Sequence, residues 1–282
     1  MNSIAELRER IVERGVRTSY SIAFTPRCGS TALTHMLTNA GFGNPTEYFQ
    51  YPYEDSEYWN WLPGNTVAER LVELAGSYQG GGMFGAKLAH DHRAYLEGSL
   101  EKELGGQVTL EDVLPCHRWL YMYRRDVVDQ AISAYIARSS GIWHVKEGAP
   151  APGSLGVEYD FLAILAQVHI ALVGQFHWDV FFRQRGIDPF RIVYEDFAVR
   201  QGEVLAEIRS FLLPGTDASN RSSVTVPISI PEKMSSRWQE EYTVLRERFL
   251  QDLLDWGKDS LWEKHGAPLD RWGRFFLNKG WE

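Results

Sequence analysis

Ser19-Tyr20-Ser21-Ile22-Ala23-Phe24-Thr25-Pro26-Arg27-Cys28-Gly29-Ser30-Thr31 runs from a short apolar stretch through a tight loop into the start of a helix. At a helix start the first backbone N–H groups lack intrahelical partners and the macrodipole is positive, so a phosphate or sulfate oxyanion is favoured there. Gly29 lets the backbone approach such a ligand, Ser30 and Thr31 offer hydroxyl donors, and Arg27 adds a planar, permanently charged fork. The plainer alternative is a strand-to-helix turn with an ordinary N-cap. Leu33, Met36 and Leu37 give the following helix its apolar face, and Leu7, Ile11 and Val12 form a helical stripe ahead of the strand.

Outward from this loop, Met83 to Leu88, Trp119 to Tyr123 and Phe190 to Tyr194 are short apolar runs. Unbroken runs of this kind predict strands covered on both faces. Helices are expected at Thr66 to Ser77, Val127 to Arg138, Tyr159 to Arg185, Val204 to Leu213 and Arg237 to Trp256. Alternating strands and helices predict an α/β fold with a central parallel sheet flanked by helices in three layers, ligands gathering beyond the carboxyl ends of the strands. The 282 residues are expected to form one domain, with an N-terminal helix within 1–18 and a C-terminal extension at 257–282. Residues 139–156, rich in Gly and Pro, form the longest expected loop and a candidate substrate loop; a plain spacer is the alternative.

Charge and composition narrow the function classes. A net charge of −8 disfavours a general nucleic-acid or anionic-membrane binder, so any basic site must be local. No apolar run approaches the roughly 18 residues that span a bilayer, and Met1 to Arg17 is charged and amphipathic, unlike a secretion signal. A soluble cytoplasmic protein is expected. The 2 cysteines, Cys28 and Cys116, cannot build a disulfide framework. Core and interface packing is the favoured account of the 10 tryptophans, ahead of stacking platforms for a sugar.

A second motif, Tyr123-Arg124-Arg125-Asp126-Val127-Val128-Asp129-Gln130-Ala131-Ile132-Ser133, ends a strand in two arginines and continues as a helix that carries Ser133. Arginine at a strand's carboxyl end faces the same crevice as the first loop, and a serine on the following helix can return toward it. Two anion sites on neighbouring strands suggest a nucleotide with anionic groups at both ends. Taken alone, the pair also fits a solvated charge cluster capped by Asp126.

With these two motifs in place, the chain resembles the nucleotide-dependent sulfotransferases, in particular the bacterial carbohydrate sulfotransferases typified by trehalose 2-sulfotransferases. The resemblance spans about Tyr20 to Tyr242 and is carried by Thr25 to Thr31, Glu47-Tyr48-Phe49-Gln50-Tyr51, Gly85-Ala86-Lys87-Leu88, and Arg124 to Ser133. It implies a phosphate-loop-like sulfotransferase fold, 3′-phosphoadenosine 5′-phosphosulfate as donor, an acceptor hydroxyl on a carbohydrate or glycolipid, and a homodimer. By the same resemblance, Thr25, Pro26, Arg27, Cys28, Gly29, Ser30 and Thr31 hold the 5′-phosphosulfate, Arg27 standing where many relatives keep lysine. The 3′-phosphate falls to Ser133 with Arg124 or Arg125; the bacterial spacing favours Arg124. Near Glu232 to Arg237 the sequence departs from the family's polar run before the tryptophan, which bears on how tightly the nucleotide is held.

The resemblance makes Glu47 the general base, and its aromatic neighbours Tyr48, Phe49 and Tyr51 are expected to desolvate it and raise its pKa. The aromatic run from Tyr48 through Tyr53, Tyr58, Trp59 and Trp61 suits a sugar ring or a second subunit. His90, just beyond the third motif, is the rival base. A metal held by His90, Asp91 and His92 is disfavoured, because adjacent positions rarely converge on one ion, and no metal is expected. Lys87 is a candidate for stabilising the transferred group, or else a strand-end salt-bridge partner.

Three other functions remain in view. A phosphate-loop kinase lacks its GxxxxGK[ST] here. A phosphatase could use Cys28, whose thiol pKa a helix start would lower, but Thr34 stands where its arginine belongs. A nucleotide- or glycan-binding protein of the same fold that no longer transfers would bind the nucleotide without turnover.

Overall fold

The fold is described from a computed structural model covering residues 3–50, 63–143, 156–215 and 236–255. The tyrosines and tryptophans at 51–61, the altered segment at 232–235 and the extension at 257–282 lie outside the described residues. In chain order the elements are α1 (Ile4–Glu13), β1 (Thr18–Phe24), α2 (Ser30–Asn39), α3 (Val67–Tyr78), β2 (Met83–Leu88), α4 (His90–Leu104) and α5 (Leu110–Val113). There follow β3 (His117–Tyr123), α6 (Val127–Ser140), α7 (Phe161–Arg185), β4 (Phe190–Val193), α8 (Tyr194–Val199), α9 (Gln201–Leu212) and α10 (Ser236–Leu254). Two compact units are distinguished: Met1–Gln130 with Ile170–Ile230, and Ala131–His169 with Pro231–Glu282.

The first unit holds the sheet, four parallel strands in the order β2-β1-β3-β4. β1 lies between β2, with Ala23 beside Leu88, and β3, with Phe24 beside Met122. The connection from β1 leads to one side of it and β3 lies on the other, so the order reverses between β1 and β3. In an open α/β sheet a crevice opens at such a reversal beyond the carboxyl ends of the strands, and here the two loops leaving those ends carry the two arginine motifs.

Strand periodicity divides the core into two layers, because successive side chains face opposite ways. Tyr20, Ile22, Phe24, Leu120, Met122 and Ile192 join Leu33, Met36 and Leu37 of α2 on one face. Ala23, Phe84, Ala86, Leu88, Trp119 and Tyr121 join α1, α3 and the end of α7 on the other. All six positions of β2 are buried, Lys87 among them. Trp119, Trp178, Phe181 and Phe182 pack with ring centroids 5.2 to 5.7 Å apart. Trp119 and Trp178 are thus core residues, as expected.

Three differences from the sequence reading stand out. β4 stops at Val193, and Tyr194 opens α8 instead of ending the strand. A 15-residue helix, α4, follows β2 directly, where only a crevice-facing His90-Asp91-His92 segment was expected. Its buried side includes Arg93 and Glu97, an ion pair that Arg185 joins at 3.2 Å, so polar residues hide its helical stripe. Finally, α7 is 25 residues long with a mean hydropathy of 1.4 over its most apolar window, which by length and composition meets the requirement for crossing a membrane. This corrects the expectation that no segment comes close. The length is reached because isolated polar residues, Gln167, His169, Gln175 and His177, interrupt the apolar sequence without interrupting the helix. Trp178, Phe181 and Phe182 near its end are buried in the core of the first unit.

The second unit is built from α10 with the later part of α6 and the earlier part of α7. Phe161 packs on Phe249 at 5.3 Å, and the Tyr159 hydroxyl donates to Asp252 at 2.7 Å. α6 runs to Ser140, two residues into the expected 139–156 loop, of which 144–155 lie outside the described residues.

Candidate active site

The loop after β1 is held from several sides within the first unit. Trp178 Nε1 donates to the Phe24 carbonyl at 3.0 Å. Gln130 Nε2, on α6, donates to Thr25 Oγ1 at 2.8 Å and to the Pro26 carbonyl at 2.7 Å. Arg27 follows with φ +66°, a left-handed conformation that costs a non-glycine residue about 1–2 kcal/mol. Gly29 has φ +91° and precedes the first residue of α2. It also has to be small: a Cβ there would come within 2.7 Å of Tyr194 Cε2 and 3.0 Å of Met122 Cε. The expected loop between strand and helix is therefore present, with glycine required for space as well as backbone freedom.

Cys28 does not behave as the phosphatase reading requires. Its side chain is buried in the α2 core layer, and burial pushes the thiol pKa up, outweighing the hydrogen bonds from the loop and the distant charge of Lys87. A thiol of raised pKa is a poor nucleophile.

The two arginines of the second motif separate clearly. Arg124 is 15% exposed, bonds Asp129 at 3.1 Å, and lays its guanidinium over the Tyr194 ring at 4.7 Å from the centroid. Arg125 is 65% exposed and reaches Asp196 at 3.4 Å. The Glu195 carboxylate accepts from the backbone N–H groups of Arg125 and Asp126, both at 3.1 Å, and lies 3.8 Å from Arg124 Nε. These contacts fix the turn into α6, where Arg125, Asp126, Val127, Val128 and Glu195 line a shallow groove of about 480 Å³. Burial lowers the pKa of Arg27, and the charge of Arg124 lowers it further. Two guanidiniums that repel each other across this crevice form a site that an anion would relieve. Tyr194 joins its two ends, touching Gly29 on one side and Arg124 on the other.

Glu47 lies in the segment after α2. Tyr48 and Phe49 are buried in the other core layer, Tyr48 against Tyr78 and Phe84, with its hydroxyl donating to the Asn44 carbonyl. The Lys87 N–H donates to the Thr46 carbonyl at 2.9 Å, tying this segment to the edge of β2. Glu47 Oε1 then meets Lys87 Nζ at 2.7 Å, the two side chains being 24% and 8% exposed. Lys87 Nζ is also 3.4 Å from Thr31 Oγ1 in the anion loop and 4.7 Å from the Phe24 ring centroid.

This arrangement reverses the expected electrostatics of Glu47. Burial would raise its pKa, but the Lys87 charge and hydrogen bond, a hydrogen bond from Gln50 at 3.1 Å and the charge of His92 outweigh burial and lower it. Burial does desolvate Glu47, as expected, but its pairing with Lys87 decides the net direction, while Tyr48 and Phe49 turn into the core.

His90 opens α4, with its ring 4.7 Å from His177 and edge-on to Trp178 at 5.6 Å. Burial, then the charges of Arg93 and His177, push its pKa down to about 4. Among the described residues no group of three or more His, Cys, Asp or Glu could hold a metal ion. Ser133 lies on α6 within the second unit. Sequence reasoning missed Gln130, Tyr194 and Glu195; the one signal for Tyr194 and Glu195 was their position at the carboxyl end of a strand.

A parallel sheet flanked by helices, with an arginine-bearing loop at its order reversal and a second arginine at the neighbouring strand end, is consistent with an α/β sulfotransferase fold. Residues 19–244 match the Stf0 sulphotransferase family, and the chain belongs to it. It is also similar to a protein of Mycobacterium tuberculosis (strain ATCC 35801 / TMC 107 / Erdman) named trehalose 2-sulfotransferase. The two are 24% identical over 263 residues, covering 82% of this chain and 94% of that one.

Proposed function

We propose that this protein transfers a sulfuryl group from 3′-phosphoadenosine 5′-phosphosulfate to a hydroxyl of a carbohydrate or glycolipid, with Glu47 as general base. The observation that carries the reading is the bridge made by Lys87, which meets Glu47 at 2.7 Å and Thr31 of the anion loop at 3.4 Å. A proton acceptor therefore sits one side chain away from where an oxyanion is favoured. The sugar acceptor is supported by the name of the mycobacterial relative.

The donor supplies a sulfuryl group on a phosphate leaving group, and the rest falls to the chain. Glu47 takes the proton of the acceptor hydroxyl as its oxygen bonds to sulfur and the bond from sulfur to the bridging phosphate oxygen breaks. Arg27, Lys87 and the N–H groups at the start of α2 face the charge that gathers on the sulfuryl and bridging oxygens. Lys87 leaves Glu47 for the incoming anion, which frees the carboxylate to act as a base. Arg124 holds the 3′-phosphate. Arg124 is preferred to Arg125 because it is the less exposed and is the one sensed by Arg27. Glu47 is preferred to His90 because Lys87 links it to Thr31 of the loop after β1, whereas the His90 ring lies against His177 and Trp178. The family resemblance further supports a homodimer.

The test incubates labelled donor with a panel of glycans, glycolipids and phenols, using wild type, Glu47→Gln and His90→Asn. Transfer should fall by about 10²- to 10⁴-fold in Glu47→Gln, with donor binding retained, and should stay within a few-fold of wild type in His90→Asn. Retained transfer in Glu47→Gln refutes the base assignment, and a wild type that binds the nucleotide but sulfates nothing refutes the enzyme.

A further inference from the structure

The side chain of Gln130 is 1% exposed and places its amide nitrogen against the donor loop. Its orientation is fixed by chemistry, since the Pro26 carbonyl can only accept and so must face the N–H donors rather than Oε1. The second N–H goes to Thr25 Oγ1, leaving the Thr25 hydroxyl hydrogen uncommitted to any described residue. The methyl group of Thr25 packs close against α7: a Cβ on Gly174 would come within 2.6 Å of Thr25 Cγ2.

Gln130 Oε1 is buried and accepts no hydrogen bond from the described residues. An unsatisfied buried acceptor costs stability that an apolar side chain of the same length would not. What the amide supplies in return is two bonds to the residues just before Arg27, which has a left-handed backbone and lies under the repulsion of Arg124. Both features push the loop toward relaxation and Arg27 away from the crevice.

We infer that Gln130 is a positioning residue of the donor site, which holds Thr25 and Pro26 so that Arg27 and the Thr25 hydroxyl stay directed at the sulfuryl end of the nucleotide. This rests on the reading of the loop as that end's binding site. Gln130 belongs to the helix that begins just after Arg124, but its bonds go only to the first loop, so its loss is felt at one end of the ligand.

The experiment measures binding of 3′-phosphoadenosine 5′-phosphate, adenosine 5′-monophosphate and adenosine 3′-monophosphate by competition, in wild type, Gln130→Met, Gln130→Glu and Thr25→Val. Melting curves establish that each variant folds. Gln130→Met keeps the length of the side chain and loses the donors; it should weaken the bisphosphate about tenfold and the 5′-monophosphate equally, and leave the 3′-monophosphate within twofold of wild type. Gln130→Glu, with a carboxylate against the Pro26 carbonyl, should be worse. Thr25→Val, which keeps the Pro26 bond, should lie between wild type and Gln130→Met. In turnover the donor KM rises while the acceptor KM holds. Equal weakening at both ends, as a merely structural role would give, overturns the inference, as does unchanged binding in Gln130→Met. If wild type itself binds none of the three nucleotides, the donor-site reading falls and takes the inference with it.

Discussion

Replacing Lys87 with methionine keeps a buried, unbranched side chain and removes the charge 2.7 Å from Glu47 Oε1. At an effective dielectric constant of about 20, two charges roughly 4 Å apart attract by about 4 kcal/mol. Glu47 is 24% exposed and water screens part of this, so about 2 kcal/mol is the working figure. In wild type the carboxylate pKa is depressed, so the stability it contributes is present above its unfolded value and is lost as pH falls through the lower folded value. In Lys87→Met burial acts with little opposition and the Glu47 pKa moves above the ordinary carboxylate range. Urea unfolding should therefore show the variant less stable by about 2 kcal/mol at neutral pH. The gap should close as pH falls below the ordinary glutamate value of about 4.3. Adding Glu47→Gln to Lys87→Met should restore part of the neutral-pH loss, because no unpaired charge is then left behind. In transfer assays the acid limb of kcat/KM should move to higher pH. A stability gap that is the same at every pH from about 3.5 to 8 would refute the electrostatic coupling of the two groups.

Two further outcomes follow from the same crevice. Gly29→Ala adds a left-handed backbone cost of about 1–2 kcal/mol and an overlap with the Tyr194 ring of about 1–3 kcal/mol, so its melting temperature should drop by several degrees or more; an unchanged melt would contradict the packing. Arg124→Ala should weaken 3′-phosphoadenosine 5′-phosphate at least tenfold in calorimetry, against less than threefold for the exposed Arg125→Ala, and the opposite ranking would reassign the 3′-phosphate.

All four strands were legible because a parallel strand covered on both faces reads as an unbroken apolar run, as Met83 to Leu88 and Trp119 to Tyr123 do. The loop between β1 and α2 was legible because its signals are local: glycine, hydroxyls and arginine in sequence. α4 was not, because its buried face carries Arg93 and Glu97, whose partnership with Arg185 exists only in the folded chain. The direction of the Glu47 pKa shift was misread for a similar reason. Its sequence neighbours are aromatic, but its spatial neighbour is a lysine 40 positions away. Gln130 looked like an ordinary helical glutamine, since nothing in the chain reveals that its amide meets a proline carbonyl 104 positions earlier.

The ring of Tyr194 resting against Gly29 makes two distant positions a lock and its key. Any lineage or library that places a bulkier residue at the glycine must first shrink the tyrosine, and shrinking it removes the aromatic floor beneath Arg124. Exchange at either position alone gives up packing or the support of the guanidinium, whereas a paired exchange that also refits the guanidinium is the route by which this crevice could be remade for a differently spaced nucleotide.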